Sequence, residues 1–277
     1  MTDTTTIHTS AIHASTHEDA RSLATRWDAQ QTGYIRHRAD RFDTIARVVT
    51  TIAAGTPEPR ILDLAGGTGS LAIEVLSHLP HARAVVADKD PALLAIAADL
   101  GSADARLQTA EVDLAHNDWA RHPLIAGVPF DAVVSSTALH WLQPATLVDV
   151  YRVLPDVLRP GGILLNGDHL AYSERQESVL ARIAREDDDA MQRETFAGGV
   201  DTWDEWWQAV ADSGRYADAL ARRDAVWGAD LHQAPPKVTL GFHLEALRSA
   251  GFVETGTVWQ YLDDYVLYGI TGSPALT

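Results

Sequence analysis

The chain contains no cysteine, which excludes disulfides, thiolate nucleophiles and cysteine-ligated metals. Positive charge is scarce: 22 Lys and Arg stand against 38 Asp and Glu, a formal charge of −16. A surface that negative repels phosphate backbones. No basic patch offsets it, because the densest basic stretch, Arg36 to Arg41, is interrupted by Asp40 and followed by Asp43. Nucleic acid is therefore not an expected partner. No run of 18 apolar residues occurs, so no membrane-spanning helix is expected. Met1 to Ser15 has neither a basic n-region nor an apolar h-region, so no secretory signal is expected there and a cytoplasmic location is the default.

What is present suits a packed core. The 277 residues are 46% hydrophobic and 22% charged, enough for one large α/β domain with an insertion. Residues 1–16, rich in Thr and His, read as a disordered lead-in. Residues 17–55 read as an N-terminal helical cover, with Phe42, Ile45, Ala46 and Val49 on one face and Gly55, Pro57 and Pro59 ending it.

The period then changes. Short apolar runs at 60–64, 82–87, 106–112, 130–135 and 163–166 alternate with helical stretches at 70–78, 91–100 and 147–158. That is the sequence form of a mostly parallel sheet covered on both faces. The alternation stops after Gly167, and residues 171–236 read as a helical lid that carries Trp203, Trp206, Trp207 and Trp227. It resumes with a helix at 240–250 and two β-rich runs, 252–260 and 265–270, joined as an antiparallel hairpin. Residues 56–170 and 237–277 thus form one Rossmann-like α/β domain of seven strands.

The densest signal is Asp63-Leu-Ala-Gly-Gly-Thr-Gly69, which follows a strand and opens a helix. Glycines there let the backbone turn sharply and approach a ligand, and the helix start offers unpaired N–H groups. Asp88 ends the second strand, 21 residues after Gly67, where a carboxylate can accept both hydroxyls of a ribose. Asp113 ends the third, where a carboxylate can take an adenine amino group. Gly67-Thr-Gly69-Ser-Leu-Ala72 also fits the G-x-G-x-x-A of dinucleotide folds. Asp63 would then sit near a pyrophosphate, which is electrostatically unfavourable.

Asp63–Gly69 resembles motif I of class I S-adenosylmethionine (SAM) dependent methyltransferases, and Val85–Pro91 resembles their second motif. Phe130–Trp141 is similar to their fourth-strand motif, particularly in the trans-aconitate methyltransferase-like group, and Leu158–Gly162 to the turn before their fifth strand. The resemblance covers residues 60–168 well, and 238–271 as a generic ending. It implies SAM as cofactor, S-adenosylhomocysteine as product and a small-molecule acceptor. Ala65, Gly66 and Gly67 would line the methionine part, with Asp63 behind the loop reaching the amino group. Asp88, with Lys89 beside it, would hold the ribose, while Asp113 and Leu114 would bind adenine. Ser135 would offer its carbonyl near the methionine end, and Arg36 would meet the SAM carboxylate. Ala65 departs from the glycine many relatives carry there.

Methyl transfer needs alignment and desolvation, and a general base only where the acceptor must lose a proton. Asp168 and His169 follow the fifth strand and His140 with Trp141 the fourth, so all four are candidates for acceptor contact or proton transfer. The plain alternatives are a capping Asp168, a solvated His169 and a structural aromatic turn. Trp203 and Trp207 could wall a planar substrate, although their helical spacing equally suits packing of the lid. His243 could approach the substrate, or join Asp168 and His169 as a facial metal set. No local spacing motif supports a metal, and none is expected. The expected reaction is methylation of a carboxylate or hydroxyl oxygen. N- or C-methylation, a SAM-binding protein without transfer activity and a dehydrogenase are the alternatives. The sequence does not specify an oligomeric state.

Overall fold

The computed structural model describes residues 4–116, 118–173, 177–228 and 234–272, with 4–17 as backbone only. Seven strands form one sheet in the order β3-β2-β1-β4-β5-β7-β6. They are β1 Arg60–Leu64, β2 Arg83–Asp88, β3 Leu107–Glu111, β4 Phe130–Ser136, β5 Leu158–His169, β6 Phe252–Tyr261 and β7 Asp264–Thr271. The first five run parallel, while β7 is antiparallel to both β5 and β6. Inserting β7 between β5 and β6 departs from the 3-2-1-4-5-6 order of dinucleotide folds. In β5, Leu158 pairs with Phe130 and Ile163 with Ala132, so Arg159–Gly162, expected as a turn before the strand, is instead a bulge within it.

The apolar runs become central strands because helices cover both faces. On one side α2 (Arg38–Ile52) and α3 (Ser70–His78) bury Phe42, Ile45, Val49, Leu71 and Val75 against Ile61, Val86, Val134 and Leu165. On the other, α5 (Pro144–Val157) and α9 (Leu240–Ser249) pack Leu147, Tyr151, Leu154 and Leu247 on Leu62, Val133, Leu164 and Leu267. Each such side chain contributes roughly 1.5–3 kcal/mol when fully buried. Helix α4 (Pro91–Gly101) starts on Asp90, whose Oδ1 accepts from the backbone N–H groups of Ala92 (2.9 Å) and Leu93 (3.2 Å). A cap of this type is worth about 1 kcal/mol.

Helix α1 runs from Thr4 to Gln31, so the expected disordered lead-in over 1–16 is corrected from Thr4 onward; residues 1–3 lie outside the described residues. The segment holds no Pro or Gly to stop a helix already nucleated on packed residues further along. Ala20 and Leu23 of α1 are buried with Leu93 and Ile96 of α4 and Trp206 and Val210 of α7 (Trp203–Asp212). With α6 (Ser178–Ala197) and α8 (Ala217–Trp227), α7 makes up the helical stretch between β5 and α9. No described helix is long and apolar enough to cross a membrane.

Candidate active site

The carboxyl ends of β1 to β5 open into one cavity of about 750 Å³, which α1, α6, α7 and α8 also line. That size accommodates a nucleoside-bearing cofactor together with a small acceptor. Its floor is the turn after β1, where Ala65, Gly67 and Gly69 adopt positive φ of 55°, 56° and 81°. Gly66 leaves no room for a side chain: a Cβ there would lie 2.5 Å from the Asp63 carboxyl carbon. Asp63 is fully buried. One of its oxygens accepts from the Ala72 N–H in the first turn of α3 (3.0 Å), and the other has no partner. Burial pushes its carboxyl up to about 7 against that hydrogen bond, and the nearby charge of Asp88 pushes the same way.

Asp88 and Asp113 sit side by side, because β2 and β3 are neighbours and the Val112 N–H donates to the Asp88 carbonyl at 2.8 Å. The Asp88 carboxylate accepts from Gly67 N–H (2.8 Å) and Asp90 N–H (2.8 Å). Burial still outweighs these bonds and pushes it up to about 6. Asp113 accepts from Ala115 N–H at 2.8 Å and lines the cavity with Lys89 and Leu114. SAM fits this arrangement. The orphan oxygen of Asp63 faces the glycine turn where an ammonium group would lie, and the two strand-end acids flank the space for an adenosine.

Not every expected residue reaches the cavity. Ser135 is fully buried, and its hydroxyl donates to the Leu64 carbonyl (2.7 Å), tying β4 to β1; Ser136 and Thr137 line the cavity instead. Arg36 is drawn away by Asp187 of α6, with Nε–Oδ2 at 2.8 Å, and does not line the cavity. Two residues on, Arg38 does line it, held by Asp28 at 2.7 Å and stacked on Phe42. His243 also lies behind the wall, fully buried, with Nδ1 2.6 Å from the Tyr151 hydroxyl. Burial holds its imidazole down at about 4. Asp168 is committed to His140, and among the described residues no three acids or histidines are arranged to hold a metal. The facial set of Asp168, His169 and His243 is therefore not assembled.

The tryptophans divide. Trp206 is packing: it is fully buried and its indole donates to the Leu23 carbonyl at 3.0 Å. Trp203 and Trp207 line the cavity with Trp141 and with Trp27 of α1. Sequence reasoning missed a further anchor. Asp90 Oδ2 accepts from Arg223 (2.8 Å) and from the Trp227 indole (2.9 Å), while the Lys89 ammonium sits 3.9 Å over the Trp227 ring. Helix α8 is thereby fastened to the loop that carries Asp88.

Near the end of β5, the Asp168 carboxylate is encircled. It contacts His140 Nδ1 and accepts from the backbone N–H groups of His140 (3.1 Å) and His169 (3.0 Å). Burial opposes its charge, but His140, with help from Arg41 and His169, holds it down at about 2. Asp168 itself is fully buried, whereas His140 and His169 line the cavity. Thr137 turns with φ +56° at the end of β4, and Arg41 of α2 fixes it by donating to Thr137, to Ser136 (2.8 Å) and to Asp264 (2.7 Å).

Residues 62–164 match the model of a methyltransferase domain. A release factor glutamine methyltransferase of Cereibacter sphaeroides is 31% identical over 150 residues, which cover 46% of this chain and 53% of that protein. The chain thus spans about half the length of this relative. Solved structures share the fold. An O-methyltransferase family protein from Burkholderia thailandensis superposes with a TM-score of 0.51 at 17% identity, over 88% of this chain and 63% of its own. Human N-acetylserotonin methyltransferase in complex with SAM gives 0.51 at 17%, over 88% and 59%. Residues 62–164 are thus similar to a methyltransferase domain, and the solved structures share its Rossmann-like fold.

Proposed function

We propose that this methyltransferase domain methylates a hydroxyl oxygen of a small planar molecule, with His140 as general base and Asp168 as the residue that orients it. The observation that carries the reading is the encircled Asp168. Its contact with Nδ1 of His140 fixes the ring and its tautomer. The other ring nitrogen, Nε2, remains for a proton at the cavity side. The backbone N–H bonds to the same carboxylate keep it in place, the role such a group plays behind a catalytic imidazole.

Bound SAM supplies an activated methyl on a sulfonium, so the protein's work is alignment, desolvation and removal of the acceptor proton. Asp88 would take the ribose hydroxyls, Asp113 the adenine amino group and Asp63 the amino-acid ammonium, with Arg38 a cavity-lining guanidinium for the carboxylate. Trp141, Trp203 and Trp207 offer flat apolar walls to the acceptor. The α6–α8 lid, with α1 as a cover, would exclude water while the acceptor is held in line. The grouping with trans-aconitate methyltransferase-like proteins rests on the Phe130–Trp141 segment alone, and a carboxylate oxygen as acceptor would need no base.

The test is a release assay for S-adenosylhomocysteine on a panel of phenols, alcohols and carboxylic acids. His140→Gln is expected to lower kcat on a hydroxyl acceptor about 10²–10⁴-fold with SAM affinity unchanged. An unaltered kcat in that variant would overturn the general-base reading.

A further inference from the structure

A second imidazole faces the same cavity, and the mechanism above leaves it unused. His169 is only 9% exposed and lines the cavity, yet neither ring nitrogen has a hydrogen-bond partner. Its Nδ1 lies 3.6 Å from Asp263 Oδ2, near enough to share charge but too far for a hydrogen bond. The ring is anchored by its own backbone, whose N–H donates to Asp168. Lys237, on the chain leading into α9, is exposed and lines the same cavity.

The charged groups around His169 come from four elements. Burial opposes protonation and so does Arg41, but Asp263 and Asp264 outweigh them and raise its pKa. Asp263 is held ionised against burial by His169 and Lys237. Asp188 of α6 also faces the cluster, and there burial together with Asp263 pushes its carboxyl up. His169 thus lies beside Asp263 while both of its buried ring nitrogens lack a hydrogen-bond partner, which native structures rarely leave so.

We infer that His169 and Lys237 form an anion subsite that takes a carboxylate of the acceptor molecule, separate from the hydroxyl that meets His140. The substrate class is then a planar aromatic hydroxy acid. Its ring would lie beside Trp141, whose indole centroid is 5.4 Å from that of His140. The inference rests on the proposed acceptor reading for the hydroxyl, but the carboxylate subsite is read by binding alone.

The experiment is calorimetric titration of protein saturated with S-adenosylhomocysteine. The probes are 2-, 3- and 4-hydroxybenzoate and 4-hydroxycinnamate, with the matching neutral amides and the cation tyramine. At least one carboxylate is expected to bind tenfold or more tighter than its amide. His169→Gln and Lys237→Gln should each cut that preference at least fivefold, with S-adenosylhomocysteine affinity retained as the check on folding. If His169→Gln does not fold, the exposed Lys237→Gln decides alone. Amide or tyramine binding equal to or tighter than carboxylate, no measurable carboxylate binding, or a preference untouched by Lys237→Gln would overturn the subsite. A carboxylate preference that persists while His140→Gln turns over at the wild-type rate would sink the general-base reading and leave this one standing.

Discussion

His140 and Asp168 are 28 residues apart in sequence and meet twice, through the ring nitrogen Nδ1 and through the His140 backbone N–H at 3.1 Å. The double contact fixes both the position of the loop after β4 and the face its imidazole presents. Replacing Asp168 by Asn keeps the volume but removes the charge and one of the two acceptor oxygens, so an amide NH2 must face a donor and the tautomer is no longer held. We expect kcat on a hydroxyl acceptor to fall about 10²–10⁴-fold, with cofactor affinity little changed. A kcat within threefold of wild type would remove Asp168 from the mechanism. The same pair has a stability signature. The Asp168 pKa is held down at about 2 against burial, so its contribution is present above the ordinary value near 4 and lost as pH falls through 4 to 2. Denaturant unfolding at pH 6 and pH 3 should show the wild-type advantage over Asp168→Asn shrinking at the lower pH.

Asp63 carries the opposite sign. Burial raises its carboxyl to about 7, so the folded chain holds a proton that the unfolded chain has already lost between pH 4 and 7. Stability from this group therefore declines as pH rises through that window. Asp63→Asn should melt close to wild type at pH 4 and higher than wild type at pH 8 in the absence of cofactor. SAM affinity should fall in the variant, and in wild type it should rise from pH 5.5 to 8 as Asp63 and Asp88 ionise. Flat cofactor affinity across that range would contradict the placement of both acids at the cofactor.

The glycine turn gives a paired test. Gly66→Ala forces a methyl to within 2.7 Å of an Asp63 oxygen, which displaces the acid, and SAM affinity should drop at least tenfold. Ala65→Gly does the reverse. Ala65 holds φ +55°, a conformation costing an L-residue roughly 1–2 kcal/mol, offset in part by the ~0.4–1 kcal/mol of chain entropy that glycine adds to the unfolded state. The variant is expected to be as stable as wild type or slightly more so, by urea unfolding. A loss above about 1 kcal/mol would mean the alanine methyl has a packing role.

Arg223 on α8 tests whether that helix and the cofactor loop move as one. Arg223→Met removes the guanidinium from Asp90 but leaves the α4 cap and the Trp227 bond intact. A loss of about 3 kcal/mol is expected, the low end for a broken buried pair, together with faster hydrogen exchange in α8 and faster release of S-adenosylhomocysteine. Exchange unchanged in α8 would show that the other contacts hold the helix by themselves.

Much of the molecule was set by local pattern. The alternation of short apolar runs with helical ones specified five parallel strands, because only strands buried on both faces read as continuous apolar runs. The Asp63–Gly69 turn and the acids Asp88 and Asp113 were legible because each occupies a strand end next in order to the last, and chain order carries over to neighbouring positions in this sheet. The reading of residues 1–16 failed for the complementary reason: helix propagation from a packed segment leaves no amphipathic pattern behind it.

What the tertiary structure alone decided are the pairings of distant side chains. Arg36 and Arg38 look interchangeable on the page, yet one is taken by Asp187 and the other faces the cavity. Arg41 reaches Asp264 across 223 positions, and Asp90 collects Arg223 and Trp227 across more than 130. His243 is claimed by Tyr151 and His140 by Asp168, each through Nδ1, so of the three histidines considered for chemistry only His169 has both ring nitrogens without a hydrogen-bond partner. Periodicity fixes which face a residue lies on, through the backbone geometry of its own element. Which partner it meets there depends on how separate elements pack, and that information is spread over the whole chain.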